Sequence, residues 1–413
     1  MRALRAVVLL AVITGVTAVS AQEVLIRDAK VYTVSGGVRE GTDVLVRDGK
    51  IAALGDKVKA STAAAVVDAH GQPLTPGVFG GLSQIGAVEI GAEPSTVDGN
   101  LTFKGPGAEQ QWRPEFDITR AFDAQSTLVP VARVEGITWT MLTPVEGSTI
   151  MAGQGAAVTL DGRQDAVFPD TRALFVAMGI DGKGLAGGSR AGLYMLLDQA
   201  ISEAHSKAPL GENSLLHPAG REVLSRYLSG GRVVFSVERA SDILEVITFA
   251  RKQGMKPIVF GGSEAWRVAK ELAAARVPVV LNPLRDLPYE FEQLGSRLDN
   301  AALLQRAGVL IAFSADDGHD ARNIRQLAGN AVAHGLPWDA ALAAITRNPA
   351  EIFGLGATHG RIAIGQSADL VLWDGDPLEV TTIATQVWIG GRAIEMRSRQ
   401  TELRDRYLKA AER

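Results

Sequence analysis

The chain has no cysteine in its 413 residues. That excludes disulfides, thiolate-held metals, a cysteine nucleophile and lipid attachment through a thiol. Histidine is scarce, with six in all. An excess of either charge is also missing: 42 Lys and Arg stand against 46 Asp and Glu, for a formal net charge of -4. A nearly neutral, slightly acidic chain gives no electrostatic reason to expect nucleic acid as a partner. Beyond the N-terminus there is no apolar run long enough to cross a bilayer.

What is present is ordinary globular composition, 46% apolar and 21% charged, in a chain long enough for two or three domains. The N-terminus reads "MRALR", then the apolar run "AVVLLAVITGV", then "AVSA" before Gln22. A basic flank, a short apolar core and small residues at Val19 and Ala21 predict a signal peptide over 1–21. A buried first strand or helix is the alternative. The expectation is a periplasmic or secreted protein with no membrane partner once the peptide is removed.

From Val24 to Gly71 the chain reads as strands and tight turns. "DVLVRDGKIAALG" places Asp48-Gly49 between two apolar runs, a strong hairpin signal. "GRIAIGQSADLVLWDG" and "ATQVWIGGRAIE" near the C-terminus have the same character, and a charged helical tail is expected over 397–413. The middle differs. "GITWTMLTP", "ALFVAMG", "RVVFSV", "KPIVFGG", "VPVVLNP" and "GVLIAFSADD" are candidate parallel strands, with helical stretches such as "ASDILEVITFARKQG" between them. This alternation runs for about the length that a (β/α)₈ barrel needs. The segment Glu89–Asp123, rich in Gly, Pro and charge, reads as a long insertion after the first barrel strand. The predicted class is therefore α/β: a TIM-type barrel over 75–355, with a small β sandwich assembled from 22–74 and 356–396.

Three stretches give this arrangement a family likeness. They are "VVDAHGQPLTPGVFGG", then "STLVPVARVEGITWTMLTP" with "MAGQGAAVTLDG", and "GLPWDAALAAITRNPAEIFGL" followed by "GRIAIGQSADLVLWDGDPLEV". Together they resemble the amidohydrolase superfamily, in its secreted imidazolonepropionase-like and dipeptidase-like branch. The resemblance implies hydrolysis of C–N bonds in small substrates by one or two divalent metals, zinc-like, at the C-terminal mouth of the barrel. It also implies two histidines on strand one, histidines on strands five and six, and an aspartate on strand eight. The metal would lower the pKa of a bound water.

At those positions this chain carries Leu82 and Gln84 on strand one, Ser236 or Glu238 on strand five, and Gly261 on strand six. Only Asp316, followed by Asp317, keeps the strand-eight aspartate. Gly261 is expected to leave a gap where an imidazole would stand. His70, His205, His217, His334 and His359 fall in turns, loops or helix ends and read as surface or capping residues. His319 follows Asp316 by three residues and is a pocket candidate. Glu238 and Asp316 are thus the catalytic candidates, with Gln84, His319 and Asp317 as substrate-binding candidates. Asp316 reads equally as a helix cap, and Glu238 equally as a neighbour of Arg239 on a solvated loop. No cofactor is assigned; one weakly held divalent metal, or metal-free division of acid and base duties between Glu238 and Asp316, remain open. A barrel without catalysis, binding a ligand or supporting an active relative in a homo- or hetero-oligomer, is the reading from a different class.

Overall fold

A computed structural model describes residues 23–105, 107 and 111–411. The expected signal peptide therefore lies outside the described residues.

The first strands are β1 (Val24–Tyr32), β2 (Val38–Arg47), β3 (Lys50–Gly55), β4 (Ala65–Asp68) and β5 (Pro73–Pro76). Asp48 and Gly49 both have positive φ, +51° and +75°. Two such residues make the two-residue turn whose twist suits a hairpin, and β2 and β3 pair antiparallel across it from Arg47↔Lys50. β1 pairs antiparallel with β2 and parallel with β4 and β5.

Eight more strands form a second sheet: β6 (Val78–Ser83), β7 (Ile137–Leu142), β8 (Met151–Thr159), β9 (Ala173–Ala177), β10 (Arg232–Val237), β11 (Lys256–Gly261), β12 (Val279–Leu281) and β13 (Ile311–Phe313). They follow one another in sequence order around the sheet. Its two edges meet where the Leu82 amide donates to Ser314 Oγ at 3.0 Å, so the barrel is nearly closed. The lumen is filled by Phe79, Leu82, Trp139, Met141, Phe175, Val234 and Ile258. One strand departs from the expected all-parallel pattern: β8 runs antiparallel to both β7 and β9. Only residues 143–150 join β7 to β8. A parallel crossover needs a dozen or more residues, so this connection can only turn back.

Helices α1 (Leu128–Arg133), α2 (Gly179–Gly184), α3 (Arg190–His205), α4 (Pro218–Leu228), α5 (Ala240–Lys252), α6 (Ala269–Ala275) and α7 (Asn300–Arg306) lie between barrel strands. α8 (Ile324–Ala333), α9 (Trp338–Ala344) and α10 (Arg347–Ile352) follow β13. α5 shows the logic: Ile243, Val246, Ile247 and Ala250 recur at helical spacing and are buried against the sheet. The insertion after β6 has little regular structure, yet it buries Trp112, Ile118 and Phe122 and binds β8 through Gln154 N donating to Phe116 O at 2.7 Å.

The chain then returns to the first sheet with β14 (Leu370–Trp373), β15 (Ala384–Ile389) and β16 (Arg392–Ala393), and ends in α11 (Arg399–Ala411). β14 pairs antiparallel with β5. The two chain ends meet a second time at the hairpin, where Ile51 N donates to Gln366 O at 2.9 Å and Gly365 N to Ile51 O at 2.8 Å. Both ends therefore build one unit. Where two facing sheets are expected, however, the described strands form one eight-stranded sheet in the order β16-β15-β14-β5-β1-β2-β3, with β4 beside β1.

Candidate active site

Parallel barrel strands deliver their C-terminal ends to one mouth. There the structure has a cavity of about 510 Å³, within the range of small-molecule sites, whose wall includes Ser236, Glu238, Gly261, Asn282, Arg285 and Asp316.

Glu238 is the first residue after β10. Its Oε2 accepts from Ser263 N at 2.7 Å and from Ser263 Oγ at 2.6 Å. Its Oε1 receives only a long contact from Gln293 Nε2 at 3.4 Å. Burial pushes its pKa up, against the opposing pull of Ser263, the Arg285 charge and Gln293. Arg239 is not its partner: that guanidinium binds Asp242 at 2.7 Å. At Gly261 (φ +91°) an added Cβ would lie 2.6 Å from Glu238 Oε1. The gap expected at Gly261 is thus occupied by the Glu238 carboxyl, because the strand neighbours Val237 and Gly261 are in register and bring the two positions together.

Asp316, after β13, is half exposed. Arg285 Nη2 binds its Oδ1 at 2.8 Å, and Asn282 Nδ2 donates to its Oδ2 at 3.1 Å. It caps no helix. Asp317 does that, accepting from the His319 amide at 2.8 Å at the head of the 3-10 turn Gly318–Asn323. Neither Asp317 nor the exposed His319 is among the cavity's lining residues; His319 instead lies near Glu89, which binds Ser126 and Thr127. Gln84 is also off the wall. Its Nε2 donates to Gly99 O at 3.2 Å, and a Cβ added at Gly99 would have to displace this amide. The structure therefore brings Glu238 and Asp316 together, while Gln84, Asp317 and His319 serve neighbouring loops.

Sequence reasoning passed over the loop after β12, which supplies Asn282, Arg285, Glu290, Glu292 and Gln293 to the wall. The available signal was position: Asn282 directly follows a barrel strand in "VVLNPLRD". Glu292 fixes this loop by pairing with Arg190, which also binds Asp242 at 2.9 Å, and by accepting from Ile180 N at 3.0 Å. The same loop exposes Leu287, Tyr289, Phe291 and Leu294 at the rim.

Residues 213–394 match the amidohydrolase family. The fold superposes on an amidohydrolase from Thermotoga maritima MSB8 with TM-score 0.80 and 26% identity, over 91% of this chain and 100% of that one. Residues 213–394 thus carry the amidohydrolase family's pattern, and the fold as a whole is similar to that of an amidohydrolase. Two curated relatives match shorter stretches. The amidohydrolase tasK of Hapsidospora irregularis is 50% identical over 60 residues, 14% of this chain and 6% of tasK. An imidazolonepropionase of Chromobacterium violaceum is 45% identical over 75 residues, 17% of this chain and 18% of that protein. The matched segment thus spans less than a fifth of either curated relative.

Divalent metal, zinc above all, is what an amidohydrolase barrel leads one to expect. Leu82 is apolar and buried in the lumen, and Gly261 offers no side chain. Gln84 is spent on Gly99, Glu238 Oε2 on Ser263, and Asp316 on a guanidinium that already neutralises it. Among the described residues no group of three or more His, Asp and Glu is placed to hold a metal ion. A zinc-type site needs three or four good ligands, and these residues do not fit one.

Proposed function

We propose that this protein is an exported amidohydrolase-type hydrolase that cleaves a C–N bond in a small amide, cyclic amide or peptide-like substrate. Within the superfamily we group it with the imidazolonepropionase-like and dipeptidase-like members. The observation that carries the reading is Glu238, a half-buried carboxyl at the end of a barrel strand with a raised pKa and one oxygen nearly free. A general base works best when its pKa approaches the working pH, and burial moves Glu238 in that direction.

Glu238 takes a proton from a water as the water oxygen bonds to the carbonyl carbon. It returns that proton to the nitrogen as the C–N bond breaks. Arg285 and Asn282 supply donors for the negative charge that builds on the carbonyl oxygen. Asp316, bound to both, is the positioning residue for them. Residues 1–21 are removed on export, and N-terminal sequencing of the exported protein is expected to begin at Gln22; intact Met1 would contradict it. The working partner is a small molecule, with self-association or pairing with an active relative as the assembly to look for.

The family positions held by Leu82, Gln84 and Gly261 favour a second reading, a barrel that binds its ligand without turning it over. A panel of linear and cyclic amides separates the two. Glu238→Gln is expected to lower kcat by roughly 10²–10⁴ with little change in KM. Saturable binding with no product from any member of the panel favours the second reading.

A further inference from the structure

The mouth cavity has more acceptors than the protein can satisfy. Asn300, at the start of α7, lines it and is 5% exposed. Its Nδ2 donates to Gly262 O at 3.0 Å, while its Oδ1 has no partner. A buried carbonyl oxygen is costly to leave unpaired, and a donor arriving with a ligand accounts for it. Gly262 adjoins Ser263, so Glu238 Oε1, with its single long contact, belongs to the same wall.

The charge balance points the same way. Asp181 and Glu290 line the cavity, and neither carboxylate has an ion pair or hydrogen bond among the described residues. Asp181 also raises the pKa of Glu146, the mark of two carboxylates close together, although burial is the larger cause there. Against these stands Arg285, already bound to Asp316. Arg190 is committed to Glu292 and Asp242, and Lys183, on the same helix as Asp181, is not among the lining residues.

We infer that the cavity takes a small organic cation rich in N–H donors, of the alkylguanidinium class, which gives hydrogen bonds to Asn300 Oδ1 and Glu238 Oε1 while Asp181 and Glu290 supply counter-charge at the mouth. A planar cation with several N–H groups can meet two acceptors on one wall at once. A neutral amide satisfies Asn300 but leaves the carboxylates unmatched, and an anion is repelled. The inference rests on the cavity assigned above as the working site, and not on turnover there.

Titration calorimetry of the mature protein at neutral pH tests it with butylguanidinium, its neutral analogue butylurea, and pentanoate. One-site binding of butylguanidinium is expected, with butylurea at least roughly tenfold weaker and pentanoate not bound. Asn300→Ala is expected to weaken butylguanidinium by roughly tenfold or more. Because Asn300 is buried, a second variant at exposed positions, Asp181→Asn with Glu290→Gln, guards against misfolding and is expected to weaken it several-fold. Equal affinity for butylurea, no saturable binding of butylguanidinium, or indifference to the Asp181/Glu290 pair overturns the inference. Hydrolysis of neutral amides with no preference for cations sinks it while sparing the hydrolase reading. Cation binding without any turnover does the reverse.

Discussion

At Gly261 there is no room for a methyl group: the nearest atom to an added Cβ is Glu238 Oε1 at 2.6 Å, and the backbone sits at φ +91°. Gly261→Ala is therefore expected to cost about 1–3 kcal/mol of stability and to displace Glu238, measured by urea denaturation together with kcat. Glu238 itself sets a pH dependence. Its folded-state pKa lies above the ordinary 4.5, so the native state binds the extra proton between those two values. Its contribution is favourable while the carboxyl is protonated and fades as pH rises through that window. Denaturant midpoints measured across this range should fall with rising pH, and the slope should flatten in Glu238→Gln; an unchanged slope would mean that the carboxyl is solvated. Glu238 and Asp316 stand out in the sequence because each lies just beyond a recognisable strand run. Gln84 has the same placement but a different fate, because Gly99 of the insertion takes its amide, and nothing in the local pattern records that contact. Asn300 was invisible for the same reason: its free oxygen is a fact of packing.

Among the elements, the six apolar runs bounded by Gly and Pro all became barrel strands, since a buried parallel strand is written as a short continuous apolar run. β8 was not readable in this way. "MAGQGAAVT" is interrupted by glycines and a glutamine, and its direction is set by the short connection from β7. Two elements invite measurement. Arg325 on α8 is buried, donates to Pro377 O at 3.1 Å, Glu379 O at 3.2 Å and Thr382 O at 3.0 Å, and lies over the Trp373 ring. It fastens the barrel to the loop between β14 and β15, and Arg325→Leu is expected to destabilise by about 3 kcal/mol, read from the denaturation midpoint, because it strands three carbonyls. His359, in the return to the first sheet, is buried against Phe168 with its Nε2 3.7 Å from Asp369. Burial lowers its pKa below 6.5, against the opposing pull of Asp369. The neutral ring's contribution is complete above 6.5 and is lost as pH falls from there toward the lowered folded value. Acid unfolding of His359→Gln should show a shallower loss over that window than the parent protein.

The molecule as a whole is a barrel inserted between two halves of one sheet, and that much could be read from matching β runs at both ends. The single-sheet arrangement could not, because strand runs reveal their pairing partners only once β5 is seen lying between β1 and β14. At the barrel's mouth, the positions where the resemblance implies imidazoles hold an apolar lumen residue, an amide held by a loop and a glycine that accommodates Glu238. The remaining carboxylate carries its own guanidinium. We expect those residues to be committed to one another rather than to a metal. Elemental analysis of the protein purified from zinc-supplemented cells and dialysed against a chelator tests it directly. Well under about one zinc per chain is predicted, since tight sites need three or four good ligands; one full equivalent surviving dialysis would contradict it.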